Sequence, residues 1–331
     1  MLFRSAMSIA KQIGLSNAGR VIIGDVWEKM DSSQRSAVLD SCAVFARVRP
    51  HQKLSLVECL QNKGEVVAMT GDGVNDAPAL KRADIGVAMG LRGTDVAREA
   101  AGLVLLDDNF ASIVAAIRSG RRIYDNLQKA MSYIVAIHVP IVGLVLLPAF
   151  FGVFPPLLLP VHIVCMELVI DPMCSIAFEG AEEEKDVMRR APRSIHSRFF
   201  VWKNFWWSLL AGGLVWLFVV LVFLYAARFG FSGGEARAVS FSALFLGNIL
   251  LIFSSLSQTS GFFSVFKTKN PSAFIITGIA LVFLLASLSF SPVRKLFKFE
   301  NPEWLHFIPV LVGAGVLFLL LETLKKIKKR G

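Results

Sequence analysis

The stretch Glu65-Val66-Val67-Ala68-Met69-Thr70-Gly71-Asp72-Gly73-Val74-Asn75-Asp76-Ala77-Pro78 decides the architecture of the chain. Its first five residues form an apolar, partly β-branched run after a turn at Gly64 and predict a short buried strand. Beyond the loop, Ala79-Leu80-Lys81-Arg82 opens a helix, with Pro78 suited to its first turn. The loop therefore sits at the carboxyl end of a strand, where open α/β sheets bind their ligands. Gly71 and Gly73 let the backbone approach a phosphate without steric cost. Asp72 and Asp76, four residues apart, are hard oxygen ligands that could share one Mg2+, and Thr70 and Asn75 add uncharged groups suited to a phosphoryl oxygen. A tight Asp/Gly turn would explain two or three of these residues, but not the whole run.

Together with Lys81-Arg82-Ala83-Asp84-Ile85-Gly86-Val87-Ala88-Met89-Gly90, the stretch resembles the hinge motif of P-type cation-transporting ATPases. The resemblance implies a phosphorylation domain similar in fold to the haloacid dehalogenases, with Mg2+ and ATP as cofactors. By it Asp72 is a Mg2+ ligand, Asn75 and Asp76 support a phosphorylated aspartate, and Thr70 and Gly71 belong to the same catalytic shell. Lys53, in Phe45-Ala46-Arg47-Val48-Arg49-Pro50-His51-Gln52-Lys53, resembles the family's phosphate-neutralising lysine. A fixed ammonium there would stabilise phosphoryl charge without transferring a proton. The plainer reading of Lys53 is a solvated lysine on the first turn of a helix.

At 331 residues the chain has room for more than one domain, and 54% hydrophobic residues with a mean hydropathy of +0.59 is too apolar for a wholly soluble protein. The excess is uneven: residues 1–122 are mixed and charged, whereas 130–322 consist mostly of long uncharged runs. The net charge of +10 resides in short connections between apolar runs and at the C-terminus. Membrane topology accounts for it, and no nucleic-acid partner is implied. Cys42, Cys59, Cys165 and Cys174 show no C-x-x-C spacing, so neither a zinc site nor a disulfide framework is indicated.

The N-terminal third alternates helix-like and strand-like segments: helices over Ala6–Ile13, Trp27–Leu39 and His51–Asn62, strands over Cys42–Val48, Ile85–Met89 and Leu103–Leu106. This rhythm argues for a parallel sheet covered on both faces. Residues 1–109 are expected to be the C-terminal part of the phosphorylation domain. From Phe110 the period becomes helical, through Ile113, Ile117, Ile123, Leu127 and Met131, which predicts a stalk over 110–130 continuing into a bilayer. Two helices meeting near Gly120 are the alternative. Residues 131–331 then read as a transmembrane domain of six helices near 131–153, 157–178, 204–227, 238–257, 272–291 and 304–322. Each approaches the length needed for a core of ~30 Å at about 1.5 Å per residue. The expected fold is thus a cytosolic α/β domain followed by an all-α six-helix bundle. The expected setting is multi-pass in the plasma membrane, with the N-terminal domain and C-terminus cytosolic. Arg189, Arg190, Arg193, Arg198, Lys267, Lys269 and the basic tail fit that orientation, whereas Arg294, Lys295 and Lys298 do not.

The second span carries Glu167 and Asp171 on one helix face. Ionised carboxylates at the centre of a span cost about 2.5–3.5 kcal/mol each on insertion scales, so both are candidate ligands of a transported inorganic cation. Pro172 disfavours helical geometry at Asp171 and could free carbonyls for the ion. Calcium-pump-like members have a similar polar-x-x-x-Asp pattern here. This chain departs from it: Glu167 replaces the usual amide, Ile170 stands where a hydroxyl is expected, and Pro140-Ile141 occupy the place of a glutamate on the preceding span. The cation therefore stays unassigned. His138 is expected to cap a carbonyl freed by Pro140, Asn248 to join two helices, and Trp202, Trp206, Trp207 and Trp304 to sit at membrane interfaces.

The family's Asp-Lys-Thr-Gly-Thr and Thr-Gly-Glu motifs do not occur in these 331 residues. The resemblance then implies the last part of a pump, a truncated or split product that is inactive alone and pairs with a missing N-terminal half. Two other readings stand beside it. One is a non-enzymatic membrane subunit or regulator derived from such a pump. The other is a membrane-anchored dehalogenase-type phosphatase, against which the lack of a nucleophilic Asp-x-Asp pair argues.

Overall fold

The structure is a computed structural model that describes residues 2–17, 19–152, 154–194, 199, 202–256, 271–300 and 303–330. The chain divides into two compact units, Met1–Ile117 and Arg118–Gly331.

The first unit opens with α1 (Leu2–Gln12), which ends at Gly14 in the left-handed conformation at φ 71°. Strand β1 (Val21–Ile23) pairs in parallel with β2 (Val44–Ala46), Ile22 opposite Phe45. Between them the single helix expected over Trp27–Leu39 is two, α2 (Gly24–Glu28) and α3 (Ser32–Ser41). The break lies at Asp31, whose carboxylate accepts from the Gln34 backbone at 2.8 Å while the Gln34 side chain accepts from the Asp31 backbone at 3.1 Å. That reciprocal cap fixes a new helix start, and its Asp-x-x-Gln spacing can be read in the sequence.

After α4 (Pro50–Asn62) a second sheet forms in the order β3 (Ala68–Gly71), β4 (Ile85–Met89) and β5 (Leu103–Leu105), all parallel. Helices α5 (Ala77–Arg82) and α6 (Asp95–Ala100) make the crossovers. The described strands thus form two parallel sheets rather than one. Both faces of β4 are covered: Ala88 packs with Leu80 and Ala97, while Val87 and Met89 on the other face pack with Leu105 and Ile113. Alternation along the strand and a fully buried centre are what a crossover-covered parallel sheet demands.

The second unit is helical: α7 (Ala111–Phe150), α8 (Pro160–Glu179), α9 (Trp202–Arg228), α10 (Gly233–Leu256), α11 (Pro271–Ser289), the short α12 (Ser291–Leu296) and α13 (Ile308–Arg330). Helix α7 is continuous through Gly120 and holds Pro140 and Pro148 inside it. Among the described residues five helices are long and apolar enough to cross a membrane: α7, α8, α9, α10 and the run Trp304–Lys328 that takes in most of α13. The apolar part of α11 is shorter, Phe274–Ser289. Helices α9, α10 and α13 pack against one another, and Gly212 of α9 admits a close approach of α7. A Cβ there would lie 2.3 Å from the Ala136 carbonyl oxygen. Trp202, Trp206 and Trp304 are exposed, as aromatics at a lipid boundary are, whereas Trp207 is half-buried.

Within this unit Lys129 of α7 is buried against Glu184, Nζ to Oε1 at 2.8 Å, and Asn126 donates to the Ala181 carbonyl at 2.9 Å. These contacts fasten the segment after α8 to α7. His138 does hold a carbonyl, but that of Ile134 at 2.8 Å rather than Ala136, the one that Pro140 deprives of its helical donor. Asn248 is 1% exposed, and neither its amide nitrogen nor its oxygen has a hydrogen-bond partner among the described residues. None of the four cysteines forms a disulfide.

Candidate functional site

In the first unit the loop after β3 forms the candidate centre. Thr70 and Gly71 are the last two residues of the strand, paired with Val87 and Ala88, so β3 is shifted into the loop from the expected Glu65–Met69: residues 65–67 precede it, and Val66 is exposed rather than buried. Asp72 and Gly73 follow, then a 3-10 turn, Val74–Asp76, that runs into α5 with Pro78 in its first turn. The turn closes through Asp76 N donating to Gly73 O at 2.9 Å, and it aims the Asp76 carboxylate back under the strand end. Gly71 makes room for it, since a Cβ on Gly71 would lie 2.5 Å from Asp76 Cβ.

Lys53 meets this loop. Its Nζ donates to Asp76 Oδ1 at 2.5 Å; the Asp76 side chain is 9% exposed and that of Lys53 35%. The start of α4 is fixed so that Lys53 points there. Pro50 occupies the first turn, and buried Gln52 accepts from Arg49 N at 2.9 Å and donates to Glu28 at 2.7 Å. His51, with Gln52, also hydrogen-bonds Glu28 and holds its carboxyl below the ordinary value. This is a built presentation of an ammonium, unlike a lysine on an unconstrained helix turn.

Thr94 N donates to the Asp72 carbonyl at 2.8 Å, tying the hinge loop to the start of α6, which Thr94 caps. Arg98 braces the same stretch through the Gly90 carbonyl at 3.0 Å and that of Gly93. Sequence reasoning missed this support, although Gly93-Thr94-Asp95 ahead of a helix carries a readable cap signal. The Asp72 and Asn75 side chains are exposed, and the Asp72 carboxylate has no hydrogen-bond or ion-pair partner among the described residues. With Asp76 engaged by Lys53, Asp72 is the carboxylate left to face a hard cation. One exposed carboxylate completed by waters and phosphate oxygens is the donor set Mg2+ ordinarily accepts. No cluster of three His, Cys, Asp or Glu side chains able to hold a metal unaided exists among the described residues.

In the second unit α8 carries Glu167 and, one turn later, Asp171, whose side chain lies outside the described residues. Glu167 is half-buried, with Oε1 3.8 Å from His138 Nε2 of α7. Helix α8 continues through Pro172, which leaves the Leu168 carbonyl without its helical donor one turn below Pro172.

Comparison with known proteins follows the same division. Residues 155–327 match the family described as cation transporting ATPase, C-terminus, and residues 4–84 match haloacid dehalogenase-like hydrolase. A calcium-transporting ATPase of Bacillus subtilis (strain 168) is 37% identical over 98% of this chain and 37% of its own length. For the calcium-transporting ATPase 3, endoplasmic reticulum-type, of Arabidopsis thaliana the figures are 35%, 97% and 31%. The calcium-transporting ATPase type 2C member 1 of Pongo abelii is 32% identical over 98% of this chain and 35% of its own length. The chain spans about a third of the length of these relatives.

Proposed function

Because the chain belongs to the cation-transporting ATPases, we propose that it is the portion of an ATP-driven cation pump that couples the phosphorylated centre to the ion path. The observation that carries the reading is the Lys53–Asp76 pair beneath an exposed Asp72, at the carboxyl end of a parallel strand. In it Asp72 binds Mg2+, which supplies charge neutralisation at the phosphoryl group. Lys53 places a positive charge beside that group, and Asp76 orients Lys53. Thr70, Gly71 and Asn75 line the approach to an aspartyl phosphate. The aspartate itself lies outside these 331 residues, as do the groups that bind ATP, so the chain alone hydrolyses no ATP.

Glu167 and Asp171 serve the transported cation, with His138 beside Glu167. The names of the relatives support calcium as the first cation to test. The hinge-bearing unit and the C-terminus lie on the cytosolic side of the plasma membrane, which puts the lysine-rich end of α13 among the lipid phosphates.

The test is co-production with an N-terminal pump fragment that carries the phosphorylated aspartate, followed by labelling with γ-labelled ATP. Acid-stable label that requires both chains and a cation is expected. Label on this chain alone, or no label in the pair under any cation, overturns the reading. A non-enzymatic subunit would instead alter a complete pump to which it is added.

A further inference from the structure

At one end of the helical unit a cleft of about 270 Å3 opens between α7, α9, α10 and α13. The start of α9 and the ends of α10 and α13 meet there, so this is the end of the bundle bearing Trp202, Trp206 and the basic tail. Its deeper wall is apolar, with Ala136, Ala211, Leu251 and Leu321, whereas Lys129, Lys325 and Lys328 converge on it from two helices. Ser132, Ser254 and Ser255 supply hydroxyls, and the Trp207 ring forms part of the wall.

The charges do not cancel. Lys129 is satisfied by Glu184 at 2.8 Å. Lys325 lies 3.9 Å from Glu322 and within electrostatic reach of Glu184, yet its Nζ is buried with no hydrogen-bond acceptor among the described residues. Lys328 has Lys203 as its charged neighbour and no described carboxylate partner. An ammonium withdrawn from water without an acceptor is costly, and a cleft that gathers a second one beside it lacks an anion.

We propose that this cleft binds a phosphate-bearing anion, with Lys325 and Lys328 as the charged contacts and Ser254 and Ser255 as hydrogen-bonding groups. The apolar wall and the position at the bundle end suit the headgroup of an anionic phospholipid whose glycerol and upper acyl chains lie along Leu251 and Leu321. A free phosphate ester would use the same charged contacts and ignore the apolar wall. The residues lining the site include neither Glu167 nor any residue of the hinge loop, and its occupancy would fix the end of α13 against α9 and α10.

The experiment uses the full chain in nanodiscs. Phosphatidylglycerol binding is measured by native mass spectrometry against phosphatidylcholine, with glycerol phosphate and inorganic phosphate as soluble competitors. Retained phosphatidylglycerol is expected to fall about tenfold or more in K325Q/K328Q, to persist in K325R/K328R, and to be unchanged in K326Q, which removes one charge, as K328Q does, but from an exposed position. Competition by glycerol phosphate at matched concentration assigns the site to a soluble ester rather than to lipid and keeps the anion. Equal retention of both lipids, or an equal loss in K326Q, overturns the proposal. Should K325Q/K328Q fail to fold, K328Q alone decides, because that side chain is only half-buried.

Discussion

Lys53 and Asp76 stand 23 residues apart in sequence, yet Lys53 Nζ lies 2.5 Å from Asp76 Oδ1, and the pair fastens the first turn of α4 to the turn that follows β3. The carboxylate is buried while the ammonium keeps about a third of its surface. Their roles are therefore unequal: Asp76 is held in place, and Lys53 keeps an open face. Lys53→Ala leaves a buried carboxylate without its donor and should cost about 1–3 kcal/mol of local stability. Faster amide exchange over residues 70–80 reports it. In the two-chain pump the same variant should lose phosphoenzyme, whereas Lys53→Arg should restore the local protection and only part of the phosphoenzyme, because a planar fork does not reproduce a point charge.

Gly71→Ala tests the same corner from the backbone side. The added methyl would overlap Asp76 Cβ at 2.5 Å, so the turn must shift, at about 1–3 kcal/mol. Both substitutions act through the Asp76 carboxylate, so their effects should fall short of additive in a double-mutant cycle. Strict additivity would separate Gly71 from the pair.

Much of this corner was legible in the sequence because the hinge run states its own geometry. Pro78 marked a helix start and Ala68-Met69 the first half of β3, although residues 65–67 of the expected strand lie before it. What escaped were features set by partners distant in sequence. Strand β1 is only three residues long and acquires its identity by pairing with β2, and Thr94 reaches Asp72 only once β4 and α6 are placed. The break between α2 and α3 was readable from Asp31 and Gln34, but the run of helix formers around it masked the cap. In the second unit periodicity predicted α7 as one helix, whereas the burial of Lys129 against Glu184 depends on the chain after α8 folding back, which no local pattern announces.

Asp84 gives the first unit an acid-sensitive tie. Its carboxylate accepts from Val67 N at 2.9 Å and from Gln61 Nε2 at 3.1 Å, and these bonds, the Val67 one foremost, hold its carboxyl below the ordinary 3.8. A carboxyl depressed on folding stabilises fully above its unfolded value, and that contribution is lost as pH falls through the lower folded value. Protection of the amides at 66–70 should hold from neutral pH to about 4 and then decline. In Asp84→Asn it should be weaker at neutral pH and flat across that window. An unchanged acid limb in the variant would assign the transition to another carboxylate, such as Asp108, which Leu91 N and Arg92 N hold in the same way.

Glu167 faces His138 across α7 and α8 at 3.8 Å, too long for a direct hydrogen bond, and His138 already turns its Nδ1 to the Ile134 carbonyl. One turn along α8, Asp171 stands beside Pro172, whose missing N–H leaves the Leu168 carbonyl available. Asp171→Asn in the two-chain pump should abolish cation-stimulated phosphorylation by ATP while leaving phosphorylation by inorganic phosphate nearly intact, because the hinge unit is untouched. Glu167→Gln should weaken the apparent cation affinity by about tenfold without removing the response, as expected for a second carboxylate sharing one charge. His138→Ala should move affinity less than Glu167→Gln. Wild-type cation dependence in both Asp171→Asn and Glu167→Gln would take the ion path away from α8 altogether.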